Sequence, residues 1–386
     1  MFRSFAVGCV TLLLLTTLTA ADTPLDRKVL KRQGDGGVHT YRIPGLAVTP
    51  AGTVLAVFDL RHQSPADLPQ DIDVGLIRST DNGDTWSDVK PILDFDKNEP
   101  GTMGNGVGDP AILVDAQRQT IFVAALWSKG NRAWKGSGPG LSPDETGQLV
   151  LTKSTDDGLT WSAPINITDK IKGRSRDWRL FFCGPGNGIQ LRDGTLVFAA
   201  QYRDPDGPPH SCFLYSTDHG ETWTVSPAAI PGSPPTSEAQ IAELADGTLL
   251  LTMRDESRSG QRLWAKWTWA SDRTQGAGGQ WSKHWLDLPD PVCMASLISC
   301  GDGLLVYSNP AHEKDRVALT VRASRDGGQN WSDGKLIEPG HSMYSSLVQL
   351  SDGRIAVLYE SEGTLTLARI ALDQLEGDSD SQPSKK

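Results

Sequence analysis

The chain is poor in everything that would set it in a membrane, on a nucleic acid or in a disulfide scaffold. Beyond the first twenty or so residues no segment approaches 18 apolar residues in a row, which excludes a membrane-spanning helix. Basic side chains are in deficit, 37 Lys and Arg against 47 Asp and Glu. A net charge of −10 is unsuited to nucleic acid and to anionic bilayer surfaces. Five cysteines in 386 residues are too few for a disulfide-stapled fold. Helical periodicity is missing as well, since no stretch repeats its apolar residues at the spacing of an amphipathic helix. What is plentiful is turn chemistry: 40 Gly and 24 Pro stand between short alternating apolar runs, as in an all-β chain with many reversals.

The N-terminus reads separately. Arg3, an apolar run through Leu12–Leu15 and the small residues Thr19, Ala20 and Ala21 have the layout of a secretory signal peptide over residues 1–21. Cys9 precedes the apolar core instead of following it, against lipoprotein processing. The expected organisation is signal peptide 1–21, one domain over 22–375 and a polar, disordered tail over 376–386. The protein is expected outside the cytoplasm, secreted or periplasmic, and monomeric. Cys293 and Cys300 lie seven residues apart in one extended run, roughly 23 Å, so they cannot bridge each other. Cys183 and Cys212 could pair or remain buried thiols.

Two repeats organise the rest. Hairpin strings recur at TPAGTVLAVFD (49–59), LRDGTLVFAAQ (191–201), LADGTLLLTMRD (244–255), CGDGLLVYSN (300–309) and LSDGRIAVLYE (350–360), with a weaker VDAQRQTIFVAAL (114–126). Between them stand STDNGDTW (79–86), STDDGLTW (154–161), STDHGETW (216–223) and SRDGGQNW (324–331), with a degraded ASDRTQGAGGQW at 270–281. In this second string the Asp accepts hydrogen bonds from turn backbone, the Gly permits a positive φ and the Trp packs between sheets. It is a folding device. Six hairpins mean six units of four antiparallel strands, hence a six-bladed β-propeller in which each blade needs its neighbours to bury a shared core. Closure is expected from Arg27–Lys31 pairing with the C-terminal run 364–371.

Strand reversal then sorts the polar residues. With the hairpin turns and the SxDxGxTW turns at the bottom, the start of strand one and the end of strand two lie at the top. Arg42 and Arg61 take those places in blade 1, Glu238 and Arg254 in blade 4, Tyr344 and Glu360 in blade 6. The turn residues Asp246 and Asp352 fall midway between the last two pairs, which makes each pair cross-strand neighbours. Arg316 precedes strand three of blade 5, and Asp67 stands in the blade 1 top loop with Asp71 and Asp73 close by. Taken singly, these are an ordinary surface arginine, a packing tyrosine and a loop acid. Together they put three cations at one mouth, where they repel one another unless an anion sits between them. A carboxylate held by arginine forks fits that place. In blade 2 a long top loop carries Trp127, Trp134 and the glycine-rich segment Gly136–Gly140; these are candidates for a pocket wall, although Trp127 fits the blade core equally well. No metal or other cofactor is expected.

The YRIP string at 41–44, the repeated Asp boxes, GPGNGIQL (184–191), DPVCMASL (290–297) and the closing LYE at 358–360 resemble the bacterial exo-sialidases (neuraminidases), a retaining glycoside hydrolase family, from Val38 to Ala371. Gly45 and Asn330 depart from the family pattern. The resemblance implies hydrolysis of terminal α-linked sialic acids, with sialylated glycans as partners. By position it implies Arg42, Arg254 and Arg316 as the carboxylate-binding triad, Tyr344 as nucleophile with Glu238 as its base, Asp67 as general acid and base, and Glu360 orienting Arg42. A tyrosine suits an anomeric carbon that already bears a carboxylate, and sialidases stand outside the two-carboxylate scheme. The arginines are expected to favour phenolate character at Tyr344. Trans-sialidases share this catalytic set, and Asp boxes also occur in non-catalytic binding propellers.

Overall fold

The computed structural model describes residues 25–95, 104–173, 177–270 and 278–376. The expected signal peptide, nearly all of the tail, and residues 271–277 of the degraded box lie outside these. Six antiparallel sheets follow one another along the chain. Each begins with an inner strand: Thr40–Val48, Gly106–Asp115, Leu180–Cys183, Thr236–Glu243, Ser296–Ser299 and Ser345–Gln349. The fold is therefore the six-bladed propeller.

Six hydrophobic clusters hold the ring, one between each pair of neighbouring blades. The two-residue period of a strand explains how one strand serves two of them. In Val54–Arg61, Leu55 and Val57 face blade 2, whereas Ala56, Phe58 and Leu60 face blade 6. No blade is buried on its own. The ring closes where Asp26–Arg32 pairs antiparallel with Thr364–Ile370, from Asp26↔Arg369 to Arg32↔Thr364.

The Asp boxes are built as their residue types require. In the first, Asp81 accepts from Thr85 N (2.8 Å) and Thr85 Oγ1 (2.6 Å), Ser79 Oγ binds both Asp81 and Gly83 N, and Trp86 Nε1 donates to Gly83 O. These hydrogen bonds hold the Asp81 carboxyl down to about 2, the Thr85 hydroxyl contributing most. In the last box Asn330 Nδ2 donates to Asp326 Oδ2 at 2.7 Å, so the departure from Thr keeps the bond. The variable residue after the Asp adopts a positive φ in Asn82, Asp157 and His219 and reaches the preceding blade's hairpin turn. Asn82 meets Ser351 Oγ (2.8 Å), Asp157 meets Thr53 Oγ1 (2.6 Å) and His219 meets Asp115 (2.7 Å). Turns and boxes thus share the bottom face.

Blade 3 departs from the regular scheme. After Leu180–Cys183 the chain crosses to blade 2, where Gly186–Asn187 pairs parallel with Ala111–Ile112, and Ile189–Gln190 then returns to blade 3. At the crossing a Cβ on Gly45 would lie 2.4 Å from the Gly186 carbonyl oxygen. That close approach accounts for glycine at 45. Cys183 and Cys212 pair with Ala200 from opposite sides, two strand spacings or roughly 10 Å apart. Both are free thiols, as are Cys293 and Cys300.

Candidate active site

The inner strands of blades 1, 2 and 4 each break register near the top: between Arg42 and Gly45, between Gly108 and Ala111, and between Thr236 and Ala239. Such irregularities re-aim side chains beside functional sites. Here they turn Arg42, Asp109 and Glu238 toward the mouth. Next to Arg42, Ile43 has φ 60°, a strained conformation for a β-branched residue. Its N–H donates to Glu360 Oε1 at 2.7 Å, while Glu360 Oε2 takes Arg42 Nε at 3.1 Å. One buried carboxylate from blade 6 therefore fixes both the bend and the guanidinium it presents.

Tyr344 stands at the centre, 6% exposed. Its hydroxyl donates to Glu238 Oε1 and accepts from Arg254 Nη1 at 3.3 Å. Arg254 is itself held by Glu238 at 2.9 Å and Glu256 at 3.1 Å. The guanidinium carbons of Arg42 and Arg316 lie 5.5 and 5.9 Å from the Tyr344 ring centre. Arg316 Nη2 donates to Val292 O at 2.9 Å. Glu238 and Arg254 meet across the strands, as their midpoint on Asp246 predicts. Tyr344 and Glu360 are joined by Glu360 N donating to Tyr344 O, as Asp352 predicts.

Burial opposes the charges of Arg42 and Arg254, but Glu360 with Tyr344 and Asp67 for the first, and Glu238 with Tyr344 and Glu256 for the second, together hold both pKa values above normal. The arginines act on the phenol in the expected direction, but burial is the larger effect. Burial, reinforced by Glu238, pushes Tyr344 well above its ordinary 10 against the opposing pull of Arg254 and Arg42. The arginines alone do not make a phenolate here. The hydroxyl is directed at Glu238.

Asp67 is 78% exposed on its loop and bonds Arg61 at 2.8 Å and Arg42 at 3.3 Å. Arg61 is buried, binds Asp59 through Nε and Nη2, and reaches Pro65 O at 2.6 Å, bracing the loop from beneath. Asp71 and Asp73 are buried away from the cavity, and Asp73 meets His62 Nε2 at 2.8 Å. Among the described residues, His62, Asp71 and Asp73 form one group with metal-ligand spacing, their ligand atoms within 4.8 Å of one another.

A cavity of about 500 Å³ opens at this mouth, lined by Asp67, Asp109, Trp134, Phe182, Glu238, Arg254, Glu256 and Tyr344 among others. Trp127 is not part of its wall. Strand alternation turns the Trp127 ring onto Phe95 (centroids 4.4 Å, 12°), with Nε1 on Asn105, and leaves Leu126 facing the cavity. The aromatic wall is Trp134, edge-on to Phe182 and under Arg203.

Sequence reading passes over Asp109 and Glu256. Asp109 has φ 56° and its N–H on Asp59 Oδ1 at 3.0 Å. Burial, then the nearby acids Asp59, Asp67 and Glu238, push its carboxyl well above the usual range. The available signal was an Asp-Pro pair at the top of an inner strand, the level of Arg42 and Glu238. Glu256 accepts from Ser237 Oγ beside its Arg254 contact.

Residues 63–357 match the BNR repeat-like domain. The chain is 43% identical over 349 residues to a sialidase of Bacteroides fragilis, covering 86% of this chain and 62% of that protein. It is 34% identical to a sialidase of Micromonospora viridifaciens, covering 89% and 53%. This chain thus spans between half and two thirds of both relatives. A sialidase of Paraclostridium sordellii is 30% identical, covering 87% and 85%. Among solved structures, a Hadza microbial sialidase superposes with TM-score 0.83 at 40% identity, covering 90% of this chain and 69% of that one. The intramolecular trans-sialidase from Ruminococcus gnavus, at TM-score 0.75 and 20% identity, shares the fold; 92% of this chain and 98% of that one are covered.

Proposed function

We infer the function from one premise: this chain belongs to the sialidase family. We propose that it is an exo-sialidase that hydrolyses terminal α-linked sialic acids from glycans with retention of configuration. The observation that carries this reading is the hydroxyl of Tyr344 donating to Glu238 within a ring of Arg42, Arg254 and Arg316.

In this reading the three guanidiniums hold the sugar carboxylate, which displaces Asp67 from Arg42. Tyr344 Oη attacks the anomeric carbon as its proton passes to Glu238 Oε1. The raised phenol pKa makes that transfer part of the attack, and the arginines then face a developing phenolate and steady it. Asp67 protonates the departing glycosidic oxygen and later takes a proton from the water that attacks the anomeric carbon of the tyrosyl glycoside, while Glu238 returns its proton to the leaving phenolate. Two displacements at one carbon give retention. A binding-only propeller has no use for the Tyr344–Glu238 hydrogen bond. Trp134, Phe182 and Leu126 suit an N-acyl substituent. No helix among the described residues is long and apolar enough to cross a membrane; export and a monomeric state belong to the proposal.

The test is a fluorogenic α-sialoside, with the first sugar released followed by NMR. The α anomer is expected. No release from the full chain would overturn the enzyme reading, and initial β anomer the retaining one. A 2,7-anhydro sugar would mark an intramolecular transferase instead.

A further inference from the structure

Beside the catalytic cavity, and sharing Arg254 with it, lies a second concavity of about 430 Å³ between the top turns of blades 4 and 5. Its charged lining is Arg254, Arg258, Lys314 and Arg316, with His341 beside them, against a single acid, Asp315. This stands out in a chain whose acids outnumber its bases by ten. Among the described residues Arg258, Lys314 and Arg316 make no ion pair with a carboxylate, whereas Arg254 is already held by Glu238 and Glu256.

Both turns are ordered from within. Asp255 accepts from Ser257 N and Ser259 N at 2.8 and 3.0 Å, which leaves Arg258 at the tip with φ 62°. Opposite it, His312 Nδ1 accepts from Lys314 N and Asp315 N at 3.2 and 2.9 Å. Glu313 packs against Gly260 and joins the two turns. Uncompensated cations brought together on fixed turns raise one another's energy, and an anion between them lowers it.

We propose that this concavity binds a second anionic sugar of the same glycan, so that the preferred substrates carry another negative charge close to the sialic acid being cleaved. The proposal rests on the sialidase reading. Arg254 lines both cavities, and Arg316 lines the second while its guanidinium lies 5.9 Å from the Tyr344 ring, so a glycan whose terminal carboxylate lies on the triad brings its neighbouring sugar toward Arg258 and Lys314. The recognition chemistry is an anionic group on a sugar, either the carboxylate of an adjoining sialic acid or a sulfate ester.

The experiment measures kcat and KM of the full chain and of the R258A/K314A double variant on three substrates: sialyllactose, α2,8-disialyllactose and a sulfated sialyllactose. Expected is a rise in KM of about tenfold on one or both doubly charged substrates, equivalent to losing one charge-assisted hydrogen bond. KM on sialyllactose should stay within about twofold, and the difference should shrink between about 0.05 and 0.5 M salt. Restoring charge with R258K/K314R should recover most of the lost affinity. Whichever doubly charged substrate responds identifies the anion as carboxylate or sulfate. Equal KM changes on all three substrates, or none on any, would overturn the second site and leave the sialidase reading intact. Failure of the unmodified chain to cleave even sialyllactose would overturn both.

Discussion

The two ends of the propeller spend their polar residues in opposite ways. At the bottom one solution is repeated: Ser, Asp, Gly, Thr and Trp tie each turn to itself, and one side chain reaches the preceding blade. The box acids Asp81, Asp156, Asp218 and Asp326 each have their donors, and the result is a set of closed turns. At the top nothing repeats. Asp67, Asp109, Glu238, Arg254 and Tyr344 come from four blades, several from strained or register-shifted backbone, and line one cavity, with Arg42 beside the Tyr344 ring. Local satisfaction gives stability, and convergence gives chemistry.

The largest expected effect tests the top alone. Tyr344→Phe removes the oxygen proposed to attack, with the proton it donates toward Glu238, and kcat should fall by about a thousandfold or more. Thermal unfolding should move by less than about 2 °C, because the ring and its packing remain. A variant that kept wild-type turnover would show that the mouth works without this oxygen.

Glu360→Gln lies where the two roles meet. It takes the charge from a buried partner of Arg42 while leaving an acceptor for Ile43 N. Stability should fall by roughly 3 kcal/mol, the usual consequence of unpairing a buried ion. KM for a sialoside should rise by about tenfold as Arg42 loses its fixed position. Unchanged KM with lowered stability would make Glu360 part of the scaffold only.

The smallest effect tests the bottom. The Thr160 hydroxyl, first among its hydrogen bonds, lowers Asp156 to about 2. A carboxyl with a depressed folded pKa stabilises the fold above its unfolded value, near 4, and loses that contribution as pH falls toward 2. Asp156→Asn should lower Tm by about 2 °C at pH 7 without changing kcat. The gap from wild type should close between about pH 4 and pH 2. A gap independent of pH would mean that ionisation of Asp156 plays no part in the turn.

Legibility followed the same division. The boxes and hairpins could be read because their interactions are local in sequence, as with Thr85 returning to Asp81 four residues away. The pairs around Asp246 and Asp352 could be read because a tight turn sets register for both of its strands. Reading failed where backbone leaves regular geometry or where a side chain's direction depends on a neighbouring blade. Asp109 sits in a break of register, so alternation from either side misplaces it. Trp127 and Trp134 are indistinguishable by type, and Phe95, from blade 1, draws one of them out of the cavity wall. The upward shift of the Tyr344 phenol comes first from burial, which residue identity does not disclose.

The sequence by itself determined the number of blades, the direction of each strand and hence which residues share an end, because turn chemistry and two-residue alternation act over short stretches. Only the tertiary structure decided which of those residues touch. Arg42 meets Glu360 across 318 residues and Tyr344 meets Glu238 across 106. Such contacts form when six interblade cores and the closing pair of terminal strands bring the ring to one radius. The charges at the mouth then have no separation left to choose.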